Sequence, residues 1–441
     1  MASPNAIVQP TDIVVEKITI FKTHDPEGDG VDITDLVHSI DINEAIYTPT
    51  LTGVMLVADG AGLLTELPIV GQEKINFTVV RAGPTGYEKE FSFRVRAIEN
   101  VTRENDFTNV YQLRLVEEAY FWNALEPISQ SFKGSIDTII TEITEQYLRT
   151  KITAEKTAGA FQCIIPTWSA YTTMQWLVRR ARTEQNDPFF LYNTLHDGMF
   201  LSSSRSLYEA EPLNNRTVYT QKESIPKTKA EAEASEAEGV EDKLDMSMVF
   251  ESVSNTPVTK QLLNGVYGRK YTRVDILNKQ IDTLVWNYDE QFDSLPKLSK
   301  NSIISDKLKY DDQALASYSR DDIVYAYSSG AFEAPSHMSY NEDVLNTTPF
   351  RNAVHQTLGN YVYKLALPGD KNIQVGKVIN LFALKNKIVT ADTQADVQDK
   401  RRSGKHIITA VKHRFYLLKN QYTQMIEINR DTMEVKHNEF N

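Results

Sequence analysis

The sequence predicts an α+β, multi-domain fold: two antiparallel β units of barrel size with an inserted α/β module. Three observations carry this. Strict period-two alternation recurs near both ends, helical periodicity is concentrated between them, and 441 residues correspond to about three domains.

The first β unit is read over residues 1–118. "KINFTVV" (74–80) puts Ile75, Phe77 and Val79 on one face, and "EFSFRVRAI" (90–98) does the same with Phe91, Phe93, Val95 and Ala97. "VYQLRLV" (110–116) alternates Tyr111, Leu113 and Leu115, and "SIDIN" (39–43) alternates Ile40 and Ile42. Alternation means one face buried and one wet, the habit of antiparallel sheets. "EKITIFK" and "GVMLVAD" bring the unit to barrel size.

The pattern changes over 119–210. "KGSIDTIITEITEQYLRT" (133–150) spaces Ile136, Ile139, Ile140, Ile143 and Tyr147 as a helix, with Ser135 at the N-cap and Asp137 in the first turn. "CIIPTWSAYTTMQWLVRRARTEQNDPFFLY" (163–192) supplies a second helix, with Arg179, Arg180 and Arg182 expected in its last turn and Asp187-Pro188 as its stop. "FFLYN" and "GMFLSS" form a hairpin around His196-Asp197-Gly198, which completes an α/β module.

Residues 221–245 are rich in Ala and Glu and poor in apolar anchors, which reads as an acidic linker or loop. Strand patterns return over 246–292, expected to feed the second barrel, and 293–349 is an inserted polar segment. Over 350–437 a helix near 350–358 precedes "NYVYKLALPGD", "GKVINLFAL", "HIITAVKHRFY" and "YTQMIEINRD", the strands of a C-terminal barrel.

Composition narrows the function. No apolar run approaches the roughly 20 residues that span a bilayer, so no membrane role is expected, and the N-terminal "MASPNAIVQPTD" has neither the basic start nor the apolar stretch of a secretion signal. The net charge of −12 argues against a phosphate-gripping face. A single cysteine, Cys163, excludes a disulfide framework and a four-cysteine zinc site; it reads as a buried thiol and fits assembly in a reducing cytoplasm.

The chemistry motifs are incomplete. In "HDPEGDGVDITD" (24–35), Asp25, Glu27, Asp29 and Gly30 resemble the early positions of a calcium loop, but Leu36 stands where the closing carboxylate should be. A solvated hairpin loop is expected there. His406 and His413 are an odd number apart, so a regular strand sends them to opposite faces and no metal pair is expected. "VADGAGLL" (57–64) has the glycines of a turn without a nucleotide loop's lysine. Glu117-Glu118 is an acid pair only by adjacency, whereas glycosidases set two carboxylates across a sugar. No catalytic residue, cofactor or metal ligand is assigned.

The order of motifs carries a resemblance. "IDINEAIYTPTLTGVMLVADGAGLLTELPIVGQEKINFTV" (40–79), with Pro49, Gly53, Asp59-Gly60 and "LPIVGQE", resembles the opening barrel of central baseplate hub subunits of contractile-tailed bacteriophages. It continues through "FWNALEPISQSFKGSIDTIITEI", "IIPTWSAYTTMQWLVRRA", "GMFLSS", "LLNGVYGRKYTRVDILNKQ" and "WNYDEQF". "NYVYKLALPGDKNIQVGKVINLF" is similar also to spike-hub proteins of contractile injection systems. The resemblance implies two barrels per chain shaped like tail-tube subunits, and a homotrimer whose six barrels join the six-fold tail tube protein to the three-fold central spike protein. It further implies contacts with a tape-measure protein and other baseplate proteins, an axial channel through which DNA passes without specific binding, a place in the virion baseplate after assembly in the host cytoplasm, and no enzyme activity. A peripheral receptor- or sugar-binding tail protein and a baseplate cell-wall hydrolase remain alternatives.

One residue stands out as a candidate domain or subunit interface. Tyr171, Met174, Leu177, Val178 and Ala181 form the apolar stripe of the second helix, and Trp176 lies about 140° around from Tyr171. A large aromatic off its own core stripe is expected to be buried against another domain or chain, with packing inside the module as the alternative.

Overall fold

The computed structural model describes residues 11–435 except 24, 26–27, 68, 82–85, 214–216, 220–248, 256, 276–278, 306, 308, 319, 328–343 and 386–397. The acidic stretch at 221–245 and Glu27 of the calcium-like loop lie outside the described residues.

Alternation becomes strand throughout the first unit: β1 (Val14–Ile20), β2 (Val31–Asp32), β3 (Val37–Ala45), β4 (Thr48–Asp59), β5 (Lys74–Arg81), β6 (Tyr87–Arg103) and β7 (Asn109–Val116). They pair in the spatial order β3-β4-β7-β6-β5-β1-β2. Ile40, Ile42, Met55, Val57, Phe77, Phe91, Phe93 and Leu113 share one core. Gly53 interrupts β4 because a Cβ there would meet the Ile42 side chain at 2.6 Å and the Asp41 carbonyl at 2.9 Å. After β4, buried Asp59 accepts the backbone N–H groups of Ala61 (3.1 Å), Leu63 (2.9 Å) and Leu64 (3.2 Å), which starts α1 (Leu63–Glu66).

The module comprises α2 (Glu118–Leu125), β8 (Ser131–Gly134), α3 (Ile136–Tyr147), β9 (Ile152–Ala154), β10 (Phe161–Ile164), α4 (Ala170–Val178), β11 (Phe189–Thr194), β12 (Gly198–Ser203) and α5 (Ser204–Glu209). Ser135 and Ser169 occupy the N-caps of α3 and α4. The α4 helix ends earlier than the arginine run predicted. Arg179 is its C-cap, and the N–H groups of Arg180 and Ala181 both turn back to the Leu177 carbonyl (2.8 and 3.0 Å), so Arg180 and Arg182 fall beyond it. In the β11–β12 hairpin, β11 is buried on both faces. Phe189, Leu191, Met199 and Leu201 enter the module core with α3 and α4, while Phe190 and Tyr192 enter the core of the second β unit.

The rest of the chain holds β13 (Thr217–Tyr219), β14 (Val249–Asn255), α6 (Val258–Leu263), β15 (Gly268–Asp275), β16 (Gln280–Asn287), α7 (Tyr288–Gln291), β17 (Lys309–Tyr310), β18 (Gln313–Ala314), β19 (Arg320–Tyr327), α8 (Val344–Thr357), β20 (Tyr361–Pro368), β21 (Val378–Phe382), β22 (Gly404–Tyr416) and β23 (Gln421–Arg430). The strands expected from 246–292 divide. β14 joins β20, whereas β15 pairs with β16 on one side and with β19, contributed by the inserted polar segment, on the other, in a separate three-stranded sheet. The last helix begins at Val344, ahead of its expected start.

The two β units are one ladder rather than two closed barrels. Eleven strands of a 13-stranded sheet run β14-β20-β23-β22-β3-β4-β7-β6-β5-β1-β2, and the other two lie off this path, β21 paired with β22 and β13 with β21. Strand β22 makes the join: Gly404–Ile407 pairs with β21, and Ala410–Tyr416 pairs with β3 across a bulge after Ile408. On the far side, the bridge Asp12 to Gln421 brings the chain ahead of β1 onto the start of β23. Two backbone bonds hold it, Tyr422 N–H to Thr11 O (2.7 Å) and Ile13 N–H to Asn420 O (3.0 Å). The first core therefore borrows Phe415 and Tyr422 from the C-terminal strands. Gly369 in the Pro-Gly turn after β20 is required by the same packing, since a Cβ there would overlap the Tyr422 ring.

A fragment of residues 1–118 lacks these strands. Expressed alone, it is expected to give neither a cooperative thermal melt nor a dispersed amide spectrum, both measurable against the full chain.

Candidate functional site

The inward face of β3 reads Val37, Ile40, Ile42 and then Glu44, a carboxylate where the pattern calls for an apolar side chain. Glu44 is 3% exposed, and a charge so placed survives only if its acceptors are filled. Its Oε1 accepts the Leu195 N–H (2.6 Å) from the module hairpin and His413 Nε2 (2.9 Å) from β22. Its Oε2 accepts the Val375 N–H (3.0 Å) from the loop between β20 and β21. One carboxylate thus ties together the first β unit, the module and the second β unit.

A second layer fixes the imidazole. The Tyr422 hydroxyl is hydrogen-bonded to His413 Nδ1 at 2.7 Å, and Nε2 faces Glu44. Gln424 holds the neighbouring loop by donating to the carbonyls of Asp370 and Ile373 (both 3.0 Å) and accepting the Asp370 N–H (2.8 Å). From the other side, Lys89 Nζ donates to the carbonyls of His196 (2.7 Å) and Leu195 (3.3 Å). Burial first, then His413, Lys89 and Lys371, push His196 down to about 3, so its ring is neutral at ordinary pH. The set of carboxylate, imidazole and hydroxyl has the composition of a hydrolytic relay, but Glu44, His413 and Tyr422 are all buried and engaged in holding backbone or one another.

His406, the other histidine of β22, serves a different core. It is buried, bonds the Gly404 carbonyl through Nδ1 (2.9 Å) and lies against the Tyr363 ring. Asp32, at the end of β2, accepts from the N–H and hydroxyl of Thr34. Among the described residues no three potential ligands gather as a metal site.

The adjacent acids part company. Glu117 turns inward, accepting from the Tyr171 hydroxyl (2.9 Å) and Asn193 Nδ2 (2.6 Å), and so staples α4 and β11. Glu118 turns outward to Arg94 at 2.6 Å. Burial, only partly offset by those hydrogen bonds, raises Glu117 to about 7.

Trp176 is half-buried within its own module. Its ring meets Phe161 and Trp168 edge-on, both at 5.7 Å, and the Arg180 guanidinium sits 4.0 Å from its centroid. Thr172, Gln175 and Arg179 leave the adjoining surface of α4 exposed.

No family model matches the sequence, and no curated protein does. The fold is shared with solved structures. The tail protein from Neisseria meningitidis MC58 superposes at a TM-score of 0.53 with 7% identity, over 95% of this chain and 97% of that one. The 43 kDa tail protein of prophage MuSo2 from Shewanella oneidensis gives 0.54 and 7%, over 96% and 99%. The chain therefore shares the fold of these two proteins, mostly β with helices and in several domains, along nearly its whole length.

Because the folded-state pKa of Glu117 lies above its ordinary value, the stability tied to it is full below about 4.5 and is lost as pH rises through about 7. Glu117→Gln removes that titration. Its melting temperature relative to the parent is expected to rise between pH 5 and pH 8, by the equivalent of about 2 kcal/mol, read by calorimetry across that range.

Proposed function

We propose that the chain is a structural hub of a contractile tail: a homotrimer on the tail axis that joins a six-fold tube to a three-fold spike. The observation that carries this reading is the likeness in fold to two tail proteins over at least 95% of the chain. In this reading each chain contributes two tube-like β units, built on the ladder shared through β22 and β23, and three chains present six similar units around a bore. The bridge from Asp12 to Gln421 supports near-closure of the first unit, since it brings the chain just ahead of β1 onto the start of β23. The chain's net charge of −12 suits a channel wall that DNA slides past without sticking. The partners are the central spike protein, the tail tube protein, and in the assembled baseplate a tape-measure protein and other baseplate proteins. The role is mechanical rather than catalytic, consistent with buried acids that are occupied in holding the units together.

Native mass spectrometry of the chain with its spike is expected to give three copies of the 50.1 kDa subunit plus the spike, and density from a whole tail is expected to place it on the axis. A position away from the axis would sink the proposal. Trp176 is assigned to a subunit or domain contact next to its module packing. Trp176→Ala is expected to weaken the trimer by about tenfold or more, measured as its dissociation on dilution; an unchanged trimer would return Trp176 to the module alone.

A further inference from the structure

β6, 17 residues, is the longest strand among the described residues, and beyond Glu99 it and the turn to β7 stand in solvent. At the tip, Phe107 is 86% exposed; among the described residues no other phenylalanine or tryptophan is exposed. The tip is ordered all the same. Arg103 donates to the carbonyls of Asn105 and Asp106 and pairs with the Asp106 carboxylate at 3.1 Å. Asn105 Oδ1 accepts the Phe107 N–H (2.8 Å), and the Glu104 N–H reaches the Thr108 carbonyl (3.0 Å). An aromatic held out into water by a pre-formed turn, flanked by Glu104 and Asp106, is built like an interface anchor: rigidity lowers the entropy cost of docking.

A cleft of about 200 Å³ lies where the β3–β4 turn, the end of α4, β11 and α8 meet. Its floor is aromatic. The rings of Phe190 and His355 are 4.8 Å apart, and Tyr47 lies 5.6 Å from each while remaining 54% exposed. Arg179 and Arg351 line the cleft, and Arg351 Nη1 donates to the Arg179 carbonyl at 3.3 Å. An aromatic floor beside two guanidinium groups complements an aromatic side chain with carboxylates next to it.

We propose that Phe107 of one copy seats in the cleft formed by Tyr47, Phe190 and His355 of the next copy, with Glu104 and Asp106 beside Arg179 and Arg351. The two surfaces lie on different elements, so the contact is head-to-tail, the kind that closes rings when the rotation permits. The inference rests on self-assembly as proposed above and names the residues that make it.

The test is the full-length double variant Phe107→Cys, Tyr47→Cys, oxidised in solution where the purified chain self-associates and within assembled tails where it does not. Cys163 is buried and does not compete. Disulfide-linked chains on a non-reducing gel are expected from the double variant and absent from Tyr47→Cys alone; their absence from the double variant overturns the contact. In parallel, Arg179→Glu is expected to weaken association by about tenfold, and adding Glu104→Arg to restore most of it; no restoration also counts against the contact. A trimer on the axis without the cross-link would reject this contact and leave the hub reading standing, whereas cross-linked chains away from the axis would do the reverse.

Discussion

The architecture depends on β22 and β23 running through two cores at once. Val411 and Ile426 pack in the second core, and Phe415 and Tyr422, further along the same hairpin, pack in the first. A one-residue slip would turn every side chain of a strand to its other face, so neither unit can change register without unpacking both. Glu44 sits at this crossing, and its acceptors are filled only when β3, β22 and two loops lie in their native places. Leaving such a carboxylate unpaired is far costlier than its pairing is favourable, which makes it a device for choosing one arrangement over its neighbours.

The module is bound into this frame through a wall rather than a linker. Alternate residues of β11 enter different cores, Phe189 and Leu191 on one side and Phe190 and Tyr192 on the other. Glu117 adds a polar staple to the same strand through Asn193, and Glu44 and Lys89 grip the hairpin's loop. The α4 surface around Trp176 remains outward and adjoins the cleft containing Arg179.

Much of the β content was legible because one-sided burial writes itself as alternation: Ile75, Phe77 and Val79 face one core as their spacing predicts. "FFLYN" shows no such period, since both of its faces are covered. Glu44 left a trace in the sequence, an acid continuing the inward series of Ile40 and Ile42, but its partner His413 lies 369 residues away, and no local pattern identifies it. The same distance hid the join between the two β units, because β22 reads as one ordinary strand whichever neighbours it takes. Glu117 and Glu118 are adjacent in the chain yet face opposite environments, so adjacency carried no chemistry. For Trp176 the helical spacing located the off-stripe face but not its neighbours Phe161 and Trp168, which arrive from outside the helix.

Continuity of β22 and β23 also governs how the molecule bears load. A pull that separates the units along these strands meets their ladders in shear, so many backbone bonds resist together instead of opening one after another like a zipper. Two domains joined by a flexible tether would stretch and recoil; this pair transmits force with little give, as a strut does.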